Sequence, residues 1–162
     1  IPCKITDQLL PTVKQGHWSA GRYFTAFKDY HFNIDGDGEI IYTRPLDEVP
    51  RATWHRNTGS IAIALCCCYN ARPNDLGEYP PTAAQIETLA KMFAVIADVF
   101  DNPIDREHFM THGEAANDDG YGLYSGEPDC RWDLEQLCDQ DEIGTGGDIL
   151  RGKAQWYLEN GV

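Results

Sequence analysis

Tyr30-His31-Phe32-Asn33-Ile34-Asp35-Gly36-Asp37-Gly38-Glu39-Ile40-Ile41-Tyr42-Thr43 is the stretch on which the fold turns. Tyr30–Ile34 alternates in the manner of a half-buried strand, and Glu39–Thr43 is rich in β-branched and aromatic residues. Gly36-Asp37-Gly38 between them tolerates positive φ, so the three pieces predict a β-hairpin. Downstream, Ser60–Cys67 is a nearly continuous apolar run, as expected of a central strand covered on both faces. Upstream, Thr12–Trp18 reads as a strand that delivers His17 to an edge or a loop mouth.

Pro80-Pro81-Thr82 opens the clearest helix. Thr82 and Gln85 form a capping box, and Ile86, Leu89, Phe93, Ile96 and Phe100 recur at helical spacing. Asn102-Pro103 ends the helix. A short strand is expected over His108–His112, followed by a long Gly-, Asp- and Tyr-rich loop over Asn117–Gly126. Trp132–Cys138 and Ile149–Glu159 read as two further helices. This order of strands and helices implies an α/β chain, a single domain with a central mixed β-sheet flanked by helices.

The bulk composition excludes more than it assigns. The 162 residues suffice for a real core without disulfide staples. A formal charge of -13 leaves too few scattered Lys and Arg to neutralise a phosphate backbone, so neither nucleic acid nor an anionic membrane is expected as partner. No apolar run approaches the roughly 20 residues that cross a bilayer. No basic stretch leads into an apolar segment and a cleavage site, so no secretory leader is expected within these residues. Of six cysteines, Cys66, Cys67 and Cys68 are adjacent and no Cys-x-x-Cys occurs, which removes the commonest structural-zinc signature. Cys130 and Cys138 are read as reduced thiols rather than a pair.

Two of the five histidines sit in settings that suit a site. His17 lies in Gly16-His17-Trp18-Ser19-Ala20-Gly21, where small residues let a ligand approach the backbone. His112 lies in Thr111-His112-Gly113-Glu114. Gly126-Glu127-Pro128-Asp129-Cys130-Arg131-Trp132-Asp133 then offers carboxylates and a thiol around a proline-stiffened turn. Two imidazoles, one acidic ligand and a water make up a common catalytic zinc site. Only the fold can bring His17 and His112 together. His31 and His108 are read as structural, Asp133 as a brace for the helix after it, and Asp139–Glu142 as a solvated surface.

The order of these pieces resembles the amidase-2 superfamily, which includes phage lysozyme-type amidases, bacterial anhydro-muramyl peptide amidases and animal peptidoglycan recognition proteins. The matching pieces run from His17–Gly21 through Tyr-His-Phe-x-Ile-Asp-x-Asp-Gly (Tyr30 to Gly38) to Trp54-His55. Ser-Ile-x-Ile-x-Leu (Ser60 to Leu65), Thr-x-x-Gln (Thr82 to Gln85), His-x-Glu-x-Ala (His112 to Ala116) and the terminal motif (Glu127 to Asp133) follow. The resemblance spans about residues 12–138 and implies one catalytic domain over 1–162. It implies hydrolysis of the amide between N-acetylmuramic acid and L-alanine in bacterial peptidoglycan, by a monomer of cell-wall lytic or endolysin type.

The resemblance also implies one Zn2+ held by His17, His112 and a third ligand. That ligand is Asp129 in one register of the terminal motif and Glu127 in the other; Cys130 falls on neither. Tyr30 is implied as the catalytic proton donor, because the alternative Glu of the Ser-Ile-x-Ile-Glu strand is replaced by Ala64. The family's lysine is also missing, and His55 or Arg131 is the candidate to supply positive charge. Glu114 is either a partner that orients the His112 region or a solvated carboxylate. Trp18, Trp54 and Tyr121 either line a groove for sugar and peptide or belong to the core. A peptidoglycan-binding module with a degraded amidase site is the rival reading.

Overall fold

The computed structural model describes residues 28–67, 75–77 and 79–162. His17, Trp18 and the expected Thr12–Trp18 strand lie outside the described residues. The chain divides into two compact units, one comprising residues 1–68 and 81–85, the other 69–80 and 86–162.

The first unit carries the predicted hairpin. β1 (Phe32–Ile34) pairs antiparallel with β2 (Ile40–Tyr42), with Phe32 opposite Tyr42 and Ile34 opposite Ile40. The loop closes because one Asp35 carboxylate oxygen accepts the N–H groups of Asp37 and Glu39 at 3.0 and 2.9 Å. Gly38 meanwhile takes φ 84°, which a side chain would resist. β3 (Ile63–Leu65) pairs parallel with β1, giving the order β2-β1-β3. The sheet is mixed, as expected. Its wholly buried strand is β1, however, whereas the three residues of β3 are half-buried. The apolar run over Ser60–Cys67 therefore overstates both the length and the burial of the strand.

His31 has the structural role expected of it and is 1% exposed. The Ala62 N–H donates to its Nδ1 at 3.0 Å, and its Nε2 lies 2.9 Å from the Glu48 carbonyl. Nδ1 is thus the acceptor and Nε2 carries the proton. One ring thereby joins the entry of β3 to the loop after β2.

α1 (Ala83–Phe100) begins on the predicted capping box. Gln85 N–H donates to Thr82 Oγ1 at 3.1 Å, and Thr82 N–H donates to Gln85 Oε1 at 2.9 Å. The same two side chains hold the hairpin: Gln85 Nε2 donates to the Ile34 carbonyl and Thr82 Oγ1 to the Gly36 carbonyl. The helix start is therefore fixed against β1 through a fully buried amide.

In the second unit, Leu89, Met92, Ala94 and Ala97 of α1 are buried, and Phe93 meets Phe109 at a ring separation of 5.1 Å. α2 (His112–Asp119) and α3 (Gly146–Asn160) follow. Three expectations fail here, one of them the loop over Asn117–Gly126, whose first three residues belong to α2. His108–His112 is not a strand: Thr111 caps a helix that begins at His112. Trp132–Cys138 forms turns rather than a helix, with Leu134 at φ 64° and the Glu135 carbonyl accepting from Gly144 and Gly146 N–H. The last helix starts three residues before the expected Ile149, at Gly146. Among the described residues no helix is long and apolar enough to cross a membrane.

Gln85→Ala should cost about 2–4 kcal/mol in urea unfolding, through the lost cap and a buried Ile34 carbonyl left unmet. A loss no larger than that of an exposed α1 substitution would disprove this account. A pH effect is expected at Glu87, which bonds Lys153 and the Tyr157 hydroxyl. These two bonds, Lys153's first, hold its carboxyl below the ordinary range. The stability they add is present above the unfolded-state pKa and is lost as pH falls through the folded-state pKa. The stability gap between the wild type and Glu87→Gln should therefore be widest near neutrality and close in acid.

Candidate active site

α2 is short, and its first turn is set by capping rather than by an apolar face. Thr111 Oγ1 accepts the Glu114 N–H at 3.1 Å, and Glu114 Oε2 accepts the Thr111 N–H at 2.9 Å. This reciprocal pair fixes the start of the helix, and with it the imidazole of His112, the first helical residue.

His112 Nδ1 lies 3.1 Å from Asp133 Oδ2. The backbone repeats the connection, since Gly113 N–H donates to the Asp133 carbonyl at 3.2 Å. Asp133 thus braces the His112 turn, not a helix of its own. With Nδ1 engaged, Nε2 of His112 has no hydrogen-bond partner among the described residues. A carboxylate on one imidazole nitrogen with the other nitrogen open is the arrangement that orients a metal-ligating histidine. An imidazole held in this way can serve as one zinc ligand, and His108, held on Nδ1 by Asp105, shares the pattern. Among the described residues no cluster of three His, Cys, Asp or Glu side chains is poised to hold an ion. Tyr121 stands edge-on to the imidazole, with ring centroids 6.2 Å apart.

Glu135 lies beside this turn and accepts from Asn117 Nδ2 at 2.8 Å. Burial, followed by the negative charge of Glu114, pushes its carboxyl above the ordinary range. Glu114 is buried rather than solvated. Arg151 holds it in a two-pronged ion pair, Nη2 to Oε1 at 2.7 Å and Nη1 to Oε2 at 2.9 Å.

The terminal motif is attached to the same unit. Arg131 N–H donates to the Tyr121 carbonyl, and Gly122 and Arg131 form a parallel bridge. Arg131 Nη1 folds back onto the Asp129 and Cys130 carbonyls. Glu127 and Asp129 are exposed, and among the described residues their carboxylates make no hydrogen bond or ion pair. The acid in contact with His112 is Asp133, which sequence reasoning had assigned elsewhere. The adjacency of Asp133 to Trp132 in the motif was the available signal. Cys130 and Cys138 are free thiols.

Tyr30, Trp54 and His55 belong to the first unit. Tyr30 is half-buried, and its carbonyl accepts from Thr43 Oγ1. Trp54 is 67% exposed, so it is not a core aromatic. It lies against the exposed His55 ring at 4.1 Å, and His55 takes φ 61°. Positive φ is uncommon for a non-glycine residue and singles out this exposed pair. His108 is exposed and tied to Asp105 through its N–H and Nδ1.

Among the described residues, a mixed sheet and three helices define an α/β protein, and a capped histidine is held by a carboxylate. The family model of N-acetylmuramoyl-L-alanine amidase matches residues 10–122, well over half of the chain, and the chain belongs to that family. No curated protein and no solved structure matches it. The matched span contains His17, Tyr30, His55, His112 and Glu114 and stops before the terminal motif.

Close packing at Glu114 makes a paired prediction within α3. A Cβ on Gly147 would overlap the Glu114 carboxylate, whereas one on Gly152 meets nothing within 4 Å. Gly147→Ala should lose about 1–3 kcal/mol by overpacking. Gly152→Ala should gain about 0.5–1 kcal/mol by removing backbone freedom from the unfolded chain. Equal effects in thermal unfolding would mean that the Gly147 contact is not tight.

Proposed function

We propose that the chain is a zinc-dependent amidase that hydrolyses the amide between N-acetylmuramic acid and L-alanine in bacterial peptidoglycan. The observation that carries this reading is His112: its Nδ1 is held by Asp133, its Nε2 is open, and its backbone is fixed by a capping box. His17 and His112 would hold the metal with an acidic group of the terminal motif. Asp133, bonded to Nδ1, would orient His112 from behind, so the acidic place stays with Asp129 or Glu127. Bound zinc supplies Lewis acidity toward the scissile carbonyl and toward water.

The remaining work falls to the chain itself. The Tyr30 hydroxyl donates to the developing oxyanion and passes a proton toward the leaving amine. His55 or Arg131 adds the positive charge that the absent lysine would otherwise bring. The exposed indole of Trp54 offers a flat apolar surface on which a sugar ring can stack.

His112→Ala should abolish zinc retention and the release of stem peptides from purified cell walls; full lysis by this variant would end the zinc-amidase reading. Asp133→Ala should weaken zinc binding about tenfold, as loss of a group behind a ligand does, and whichever of Asp129→Ala and Glu127→Ala removes the third ligand should weaken it further; unaltered affinity in both of the latter would exclude a ligand at either place. Ala64, in the middle of β3 where a catalytic Glu would stand, favours one rival, a module that binds walls without cutting them. Sedimentation with cell walls, zinc-free and without loss of turbidity, would establish that rival.

A further inference from the structure

The family match ends at residue 122, and α3 lies beyond it. Yet a residue of α3 makes the most thoroughly satisfied contact of the His112 turn. Arg151 is 8% exposed, and its guanidinium reaches both sides of that turn. Nη1 donates to the Phe109 carbonyl at 2.9 Å, ahead of the Thr111 cap, and to Glu114 Oε2 at 2.9 Å, behind it. Nη2 donates to Glu114 Oε1 at 2.7 Å and to Asp148 Oδ1 at 2.6 Å.

Glu114 Oε2 is the same atom that accepts the Thr111 N–H. The capping box that orients His112 therefore shares an atom with the ion pair to Arg151. Gly147 lets α3 approach this carboxylate, since any Cβ there would overlap it. Arg106 also lies near, 3.7 Å from Glu114 Oε1, but it is half-exposed and spends its two short bonds on Asp118.

We propose that Arg151 is a positioning residue for the candidate metal site. Through Glu114 and the Phe109 carbonyl it clamps residues 109–114 and so holds His112 against Asp133. The role follows from geometry. A planar guanidinium has fixed donor directions, so a carboxylate and a carbonyl bound together by it cannot turn independently. Without it, Glu114 is a buried carboxylate lacking its principal counter-charge. It must then move toward water, and the cap that it supplies to Thr111 moves with it. This inference rests on the assignment of His112 as a metal ligand.

The test uses the whole chain and three variants: Arg151→Ala, Arg151→Lys and Lys153→Ala. Lys153 is on the same helix but pairs with Glu87, remote from the cap, so its variant serves as the structural control. Zinc affinity is read by competition with a chromogenic chelator, and hydrogen exchange of the Gly113 and Glu114 amides is read without metal. Arg151→Ala should weaken zinc binding at least about tenfold, in the range seen when groups behind metal ligands are removed. It should also speed exchange at Gly113 and Glu114 at least tenfold relative to Leu89. Arg151→Lys should recover part of both, and Lys153→Ala should change neither.

Unaltered zinc affinity and unaltered exchange in a folded Arg151→Ala protein would overturn the proposal, as would equal effects from Lys153→Ala. If Arg151→Ala does not fold, Arg151→Lys decides, because loss of the two-pronged geometry alone should raise Gly113 exchange severalfold. Should wild-type protein bind no zinc while Arg151→Ala still releases the Gly113 amide, the clamp stands and the metal reading fails.

Discussion

A carboxylate buried as deeply as Glu114 is costly unless every lone pair is met, and the second unit is arranged around meeting them. Arg151 supplies two charged donors and Thr111 a backbone N–H. Because Arg151 belongs to α3 and Thr111 precedes α2, satisfying one side chain fixes two helices and the turn that bears His112. The low dielectric that makes a lone charge expensive there also strengthens the bonds that are formed. Gly147 follows from the same constraint, and Gly113 and Gly146 from the packing beside it. A Cβ at any of them would strike Glu135, the Leu134 carbonyl or the Glu114 carboxylate.

The first unit solves its problem with neutral groups. Asn33 is buried in the middle of β1 and donates to Thr43 Oγ1, which donates onward to the Tyr30 carbonyl. His31 spends both ring nitrogens on backbone groups. Comparison with His112 shows what separates a structural imidazole from a candidate ligand. Both are oriented from one nitrogen, but at His31 the second nitrogen is consumed as well. An open nitrogen is needed for a ligand but does not suffice, since His108, held on Nδ1 by Asp105, has one as well.

Much of this was legible in the residues, and the failures have a common cause. The hairpin could be read because period-two alternation flanks a loop whose glycine is needed at φ 84°. α1 could be read because its capping box precedes a long periodic face. Thr111-x-x-Glu114 bears the same kind of signature, but α2 has only 8 residues, too few to show a period, and the β-like look of His108–His112 prevailed. Trp132–Cys138 misled in the opposite sense. Its spacing is helical, yet Gly144 and Gly146 both draw on the Glu135 carbonyl and hold the segment in turns. In each case contacts remote along the chain overrode the local pattern. Arg151 was invisible for the same reason, since its significance depends on residues up to 42 positions away.

The electrostatics of the second unit bear on what can occupy the open side of His112. Arg106 and Arg151 face Asp118, Asp148 and Glu114, so their charge is spent before it reaches the imidazole. Asp133, on His112, is left without a paired cation among the described residues. A local surplus of negative charge beside an imidazole lone pair disfavours an anion and favours a cation. That preference is consistent with the metal proposed at His112. Arg151 takes no part there, because its guanidinium is engaged by Glu114, Asp148 and the Phe109 carbonyl and orders the turn without competing with a cation for Nε2.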